Sequence, residues 1–454
     1  MTRRDRTGRL PLSVLSDLVA RARACGADEA DAFLKESESF TAELHLGRIE
    51  KLRRSRAHVL GIRIFVGKSC GIASTSDLSR ESLDRLVDDA CRLARATAAD
   101  PSSGLPDTGR LGRSPDPAIF DDEGFGRSDG DLIELARMAE TAAFDTDSAI
   151  TNSEGAGYFQ TRVRTGLANS SGFGEEYEST TYSLYVAPLA ERNGERQRDY
   201  WTSTKRRFRE LGKPDEVGRE AALRAVRRLG AGRVATGRYP VVFDNRVSPT
   251  LLEHLATAMT GTSLVRGASF LLGKIGEPVA AAPITLVDDP TLVGGLGSFP
   301  FDDEGLPGRR AEPIQSGILK SFFLDTYSGR RLGLEARGGT RRDPGSVPSP
   351  GPSNLYLPAG KSDPKEIVSG LKRGLYVTEL AGFGFNPVTG DYSRGAVGFL
   401  IEDGRLARPV EEITIAGNLL TMLRGIEAIG NDLEFHSEIA APTLLVNEMT
   451  VAGE

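Results

Sequence analysis

Four histidines, three cysteines and scattered carboxylates are the side chains of this sequence that could hold a metal or attack a bond. A zinc hydrolase needs two or three imidazoles or carboxylates converging from nearby turns of one element. The histidines are His45, His58, His254 and His436, and the nearest pair, His45 and His58, matches neither H-x-x-x-H nor H-x-x-x-x-H. His254 reads first as a polar residue on a half-exposed helix. Cys25, Cys70 and Cys91 all fall in the first hundred residues without C-x-x-C spacing, so they read as structural thiols in a reducing compartment. No G-x-S-x-G elbow and no G-x-x-x-x-G-K-[ST] loop occurs, and Gly294 to Gly297 sits between strands and opens no helix. Adjacent acids such as Asp288-Asp289, Asp302-Asp303-Glu304 and Glu411-Glu412 read as solvated loop charge, because neighbours on a strand point to opposite faces.

One segment is too particular for plain scaffolding. Gly384 to Gly398 combines several glycines, an Asn-Pro turn and the run Thr389-Gly390-Asp391-Tyr392-Ser393-Arg394 before an apolar strand. Such a loop offers backbone groups and a cation to a ligand or partner. The competing reading is a turn whose Asx and Ser side chains satisfy their own backbone.

The elements that must position these residues follow from periodicity. Leu12 to Ala24, a segment starting after Ser79 (Leu83, Leu86, Val87, Ala90, Ala94), Leu132 to Phe144 and Glu216 to Leu229 carry helical stripes, the last with Pro214 ahead and Gly230 as its C-cap. Residues 31–35, 39–45 and 58–66 read as strands, with a hairpin over 61–74 turning at 67–71, and 158–165, 180–187 and 197–204 as an antiparallel sheet. Beyond Arg238 the texture changes to short strands at 239–243, 284–287, 318–324, 396–401, 412–415 and 443–446. They surround one helix over 248–260, with Ser248 as cap, Pro249 at its first position, and Leu252, Leu255, Ala256 and Met259 on one face.

The fold class is therefore α+β. An N-terminal α/β domain spans 1–235, with a Pro/Gly/Ser/Asp-rich stretch at 100–130 as a possible hinge, and a mostly-β domain spans 236–454. A chain of 454 residues with a net charge of −6 has room for two or three cores and no basic excess for nucleic acid. No window of ~18 uninterrupted apolar residues exists to span a membrane, so the expectation is a soluble, cytoplasmic protein.

On these residues the chain resembles the TldD/PmbA family. The resemblance is carried by Asn386 to Arg394 followed by Gly398 to Asn418, by Phe301 to Arg310, Leu319 to Gly333 and Pro352 to Leu357, and by Glu43 to Glu50 and Val59 to Lys68. It covers nearly the whole chain. The family implies a two-subunit cytoplasmic zinc metalloprotease that cleaves unfolded or extended peptides in a closed chamber. There the TldD-type subunit holds zinc through a His-Glu-x-x-x-His helix and a later cysteine.

The matching helix here is Leu251 to Met259. Placing Glu253 at the first histidine puts His254 at the glutamate and Ala258 at the second histidine. Starting from His254 instead puts Leu255 and Met259 at the other two positions, and no cysteine follows Cys91. The resemblance thus implies a TldE/PmbA-type subunit with no catalytic residue, metal or cofactor of its own, and with zinc in a TldD-type partner. Asn386, Thr389, Asp391, Ser393, Arg394 and Asn418 are its candidate contacts to substrate or partner. Alternatives are a homodimeric peptide-binding protein and a peptide- or amide-processing enzyme of a natural-product pathway.

Overall fold

The computed structural model describes residues 10–453. Its first half is one antiparallel sheet with helices on one side. Along the chain come α1 (Leu12–Ala24), β1 (Glu29–His45), β2 (Arg48–Val66), β3 (Ser69–Thr75), α2 (Arg80–Ala96), α3 (Asp129–Thr146), β4 (Ile150–Asn169), β5 (Gly174–Arg192), β6 (Glu195–Arg198), β7 (Trp201–Lys205) and α4 (Pro214–Val226). The strand order is β3-β2-β1-β4-β5-β6, and β7 also pairs with β5. Strand alternation sorts the faces. Ala30, Ala32 and Leu34 join a core with α1 and α2, and Phe40, Ala42 and Leu44 continue the same phase into a second core under α3 and α4. The opposite phase places Phe33 against Phe301 of the second half. Ser79 caps α2 by accepting the Ser82 N–H, and Ser128 forms a capping box with Asp131 at α3.

Several expected boundaries shift. The expected strands 31–35 and 39–45 are one strand, because β1 finds a partner on both sides along its whole length. The segment 197–204 breaks at Asp199, whose buried carboxylate lies between Arg224 and Arg228 of the α4 region. Gly230 is not the C-cap of α4: the helix ends at Val226 with Arg227 as cap. Gly230 instead turns the chain farther on at φ +82°, where its N–H donates to Glu195.

The second half comprises β8 (Gly237–Phe243), α5 (Pro249–Ala258), α6 (Gly261–Val265), β9 (Leu286–Asp288), β10 (Ala311–Gln315), β11 (Ile318–Leu319), α7 (Thr326–Leu332), β12 (Thr340–Arg341), β13 (Ser349–Pro350), β14 (Leu355–Tyr356), α8 (Pro364–Ser369), β15 (Arg373–Ala381), β16 (Asp391–Glu402), β17 (Arg405–Asn418), α9 (Leu419–Arg424), β18 (Ile426–Ile429), β19 (Ile439–Ala440) and β20 (Leu444–Ala452). One sheet runs β17-β16-β15-β8-β20-β18, and the added pairing of β17 with β20 closes five of these strands into a barrel. A smaller sheet runs β11-β10-β9-β14-β19. Helix α5 shares the large core with the barrel through Leu251, Leu252, Leu255 and Met259.

Ser248 does not cap α5. It is itself in helical conformation, and its buried hydroxyl donates to the carbonyls of Ala441 and Pro442 at 3.1 and 2.8 Å, tying the helix start to the link between β19 and β20. The expected strand 318–324 shrinks to Ile318–Leu319, since the Lys320 and Ser321 amides turn back to the Pro313 carbonyl. The 100–130 stretch runs along the second half: Gly112 N–H donates to Gly305 O at 3.0 Å and Ser114 N–H to Pro300 O at 2.8 Å.

The acids at 302–304 are not solvated loop charge. Asp302, Asp303 and Glu304 are at most 2% exposed. Distant residues compensate them: Arg63 of β2 lies 3.7 Å from Glu304, and the Arg342 N–H donates to Asp303 at 2.7 Å.

Candidate functional site

Helix α5 forms one wall of a cleft of about 290 Å³ whose lining includes Asp199, Arg246, Glu253, Glu379, Arg394 and His436. The hairpin loop between β15 and β16 folds over the same helix. Gly384 makes that fold possible, because a Cβ there would sit 1.5 Å from the Ser393 carbonyl oxygen. The Ser393 amide donates to that glycine's carbonyl and the Asn386 amide to Asp391 O at 2.9 Å, so Phe385 is held over His254.

His254 is consequently a packed side chain. Its ring stacks on Phe385 at 4.7 Å and meets Tyr392 edge-on at 5.7 Å. Its Nδ1 is buried without a hydrogen-bond partner. Desolvation, with Arg394 nearby, pulls its pKa down to about 4, leaving a neutral imidazole at pH 7. Tyr392 is 2% exposed with an unpartnered hydroxyl, and burial pushes its ionisation upward. Glu253 lies at the cleft margin, where partial desolvation and then Glu438 raise its pKa. Ala258 is fully buried in the barrel-side core.

His436 faces α5 across the cleft. Burial, followed by Arg246, lowers its pKa to about 3. Its Nδ1 lies 3.3 Å from Arg246, which can only donate, so the ring proton belongs on Nε2. The Arg246 guanidinium also lies 3.9 Å from the centroid of the Trp201 ring, a cation–π stack.

The sequence-derived contact residues divide into two groups. Asn386, Thr389, Asp391 and Asn418 meet at the hairpin tip and largely satisfy one another. Asn386 accepts the Val388 N–H at 2.9 Å, Thr389 donates to Asp391 at 2.7 Å, and Asn418 donates to Thr389 O at 2.9 Å while capping α9 through the Leu420 N–H. Arg394 enters the cleft with a buried, unpartnered Nε, and Ser393 is exposed on β16. Sequence reasoning missed Arg246 and His436 as cleft residues and Trp201 as the ring packed against both. A motif search had no signal for them, since they come from β7, the β8–α5 turn and the segment before β19.

The donor set does not fit a zinc ion. A tetrahedral site needs several converging neutral or anionic ligands. Here one imidazole is wedged between aromatic rings, the other is committed to Arg246, and the lining carboxylates Asp199, Glu253, Glu379 and Glu434 share the cleft with Arg224, Arg246 and Arg394. Among the described residues no group of three or more His, Cys, Asp and Glu is placed to hold a metal.

A long antiparallel sheet joined to a small barrel, with a helix packed into the core of the barrel half, defines a protein of the TldE fold. A solved TldE from Thermococcus kodakarensis matches that fold with a TM-score of 0.85 at 22% identity, over 96% of this chain and 99% of that one. The chain belongs to the PmbA/TldD metallopeptidase family. Family models for PmbA/TldA metallopeptidase domain 1, central domain and C-terminal domain match residues 30–94, 125–229 and 236–453. It is 36% identical to "Metalloprotease PmbA" of Escherichia coli O157:H7 over 94% of this chain and 93% of that protein. A candidate modulator of DNA gyrase from Bacteroides thetaiotaomicron superposes with a TM-score of 0.89 at 29% identity, covering 97% of this chain and 98% of that one.

Proposed function

We propose that this chain is the zinc-free subunit of a two-subunit metalloprotease. A TldD-type partner supplies the metal, and this chain completes the chamber in which extended peptides are cut. The observation that carries the reading is the α5 cleft. By sequence resemblance α5 matches the family's zinc helix, and its one histidine is a neutral ring packed between Phe385 and Tyr392. "Metalloprotease TldD homolog" of Buchnera aphidicola is 26% identical to this chain over 87% of it, so a paired chain of the same fold is a reasonable mate. The free thiols Cys25, Cys70 and Cys91 fit a reducing cytoplasm. No helix among the described residues is long and apolar enough to cross a membrane.

The test is co-expression with a TldD-type protein of the same genome, followed by metal analysis and casein cleavage for each chain alone and for the complex. Zinc and cleavage confined to the complex and the partner support the reading. Stoichiometric zinc or peptidase activity in this chain alone overturns it.

A further inference from the structure

Strand β7 is the one feature of the cleft region that points outward with unused bonding capacity. It pairs with β5 along one side, from Tyr182↔Lys205 to Val186↔Trp201, and among the described residues no strand pairs with its other side. An edge of this kind presents alternate N–H and C=O groups to whatever lies beside it. What lies beside it is a groove of about 650 Å³ lined by all five β7 residues, with α4 as the facing wall and Phe435 and His436 at one end. At ~3.3 Å per residue a five-residue edge offers about 17 Å, enough for an extended segment of five or six residues.

The lining also selects. Glu210, Glu216, Glu220 and Glu434 line the groove with Lys205 and Arg219; Glu210 and Glu216 also pair with Arg207 and Lys213 at its exposed margin. Among the described residues no salt bridge within 4 Å holds Glu220, which feels the field of Arg227; Glu434 lies 3.4 Å from His436, a ring whose lowered pKa leaves it neutral at pH 7, and also feels Arg246. Leu223 is 50% exposed on the same wall and leaves an apolar spot between the carboxylates. The groove continues into the α5 cleft, because Thr202, Glu434 and His436 line both.

We propose that the free edge of β7 is a docking site for an extended cationic peptide, which adds to the sheet as a strand and is led toward the α5 cleft. Main-chain bonds to β7 supply sequence-tolerant grip, and the glutamates favour Lys- and Arg-bearing segments. The site lies outside the helix with the degenerate motif, and it rests on the proposed function only in taking an extended peptide as the cargo.

Trp201 makes the test direct, since it is the single tryptophan of the chain and lies on β7. The full chain, without partner or metal, is titrated with the capped peptide Lys-Thr-Val-Thr-Lys-Val while Trp201 emission is followed. The expected result is a saturable change, at least tenfold weaker for the version with Glu in place of Lys. One of two alternately N-methylated versions, the one that blocks the ladder-facing amides, also binds at least tenfold weaker. The double variant Glu216→Lys/Glu220→Lys, whose folding is checked by urea unfolding, is expected to invert the charge preference. No saturable change up to ~1 mM, where binding energy falls to about 4 kcal/mol, overturns the proposal. So does equal binding of both N-methylated peptides, or a charge preference that the double variant leaves untouched. Because neither zinc nor a partner enters this experiment, its failure leaves the co-expression test standing, and the reverse also holds.

Discussion

Two polar regions of this molecule are built on opposite plans. At the seam between the sheet and the second half, buried carboxylates accept from guanidinium and amide donors, although Arg342 Nε and Nη2 and Thr340 Oγ1 have no partner. Asp31 accepts from Arg63 at 3.1 and 2.6 Å and from Arg342 at 3.0 Å. Asp302 accepts the amides of Glu304, Leu306 and Thr340 at 3.0, 2.9 and 3.1 Å. In the α5 cleft the buried polar atoms of His254, Tyr392 and Arg394 have no partners, and the two histidines escape charge by staying neutral. The difference separates structural from inherited roles. The charges of the seam join two halves of one chain, whereas around the cleft no group of three or more His, Cys, Asp and Glu among the described residues is placed to hold a metal.

The largest effect is expected at the seam. Burial alone would push the Asp31 carboxyl up, yet the Arg342 and Arg63 guanidiniums hold it below its ordinary value. Asp31→Ala leaves Arg342 and Arg63 buried without their shared carboxylate, with Glu304 at 3.7 Å from Arg63 as the remaining acid, which costs about 3–5 kcal/mol. Urea unfolding checks this, and a loss below about 1 kcal/mol would show that the seam does not join the halves. A smaller, pH-dependent effect belongs to Asp302, which burial first and Glu304 second raise to about 7. A carboxyl raised in the folded state contributes stability that is complete below about pH 4 and lost as pH rises through about 7. Asp302→Asn removes that titration. Relative to wild type the variant is therefore expected to gain up to a few kcal/mol between pH 5 and 8, and a constant difference across that range would refute the assignment.

What was legible in the sequence follows the range of the interactions involved. Helix α2 was readable because Ser79 and the stripe from Leu83 to Ala94 are local, and α5 because Pro249 and its apolar face are local too. The first part of β2 was not, since Arg48 to Ala57 is largely exposed and polar and shows no alternation. Its strand state comes from pairing with β1, with Ala42↔Leu52 as one rung. The burial of Asp302 to Glu304 was misread because Arg63, on β2 of the first-half sheet, is remote in sequence. The site was half legible. The motif comparison at Glu253, His254 and Ala258 uses residue order alone, whereas the Phe385 ring over His254 depends on a hairpin that returns 131 positions later.

The smallest effect sharpens the comparison most, because it is the one in which a functional-looking residue should barely matter. In the packed, neutral state described here, His254 contributes a ring stacked at 4.7 Å on Phe385 and a buried Nδ1 that has lost its water. Replacing it by another flat ring keeps the stacking and removes the unsatisfied atom, so His254→Phe is expected to change stability by less than about 1 kcal/mol near pH 7. Desolvation and Arg394 lower the His254 pKa from 6.5 to about 4. A base depressed in this way gives stability that is present above 6.5 and lost as pH falls through about 4, so wild type should weaken relative to the variant on acidification. Parallel urea titrations at about pH 7 and about pH 4.5 check both statements. A loss of several kcal/mol at neutral pH, or a variant that weakens in acid as fast as wild type, would mean that His254 is a working ionisable group and that the cleft is more than a packed remnant.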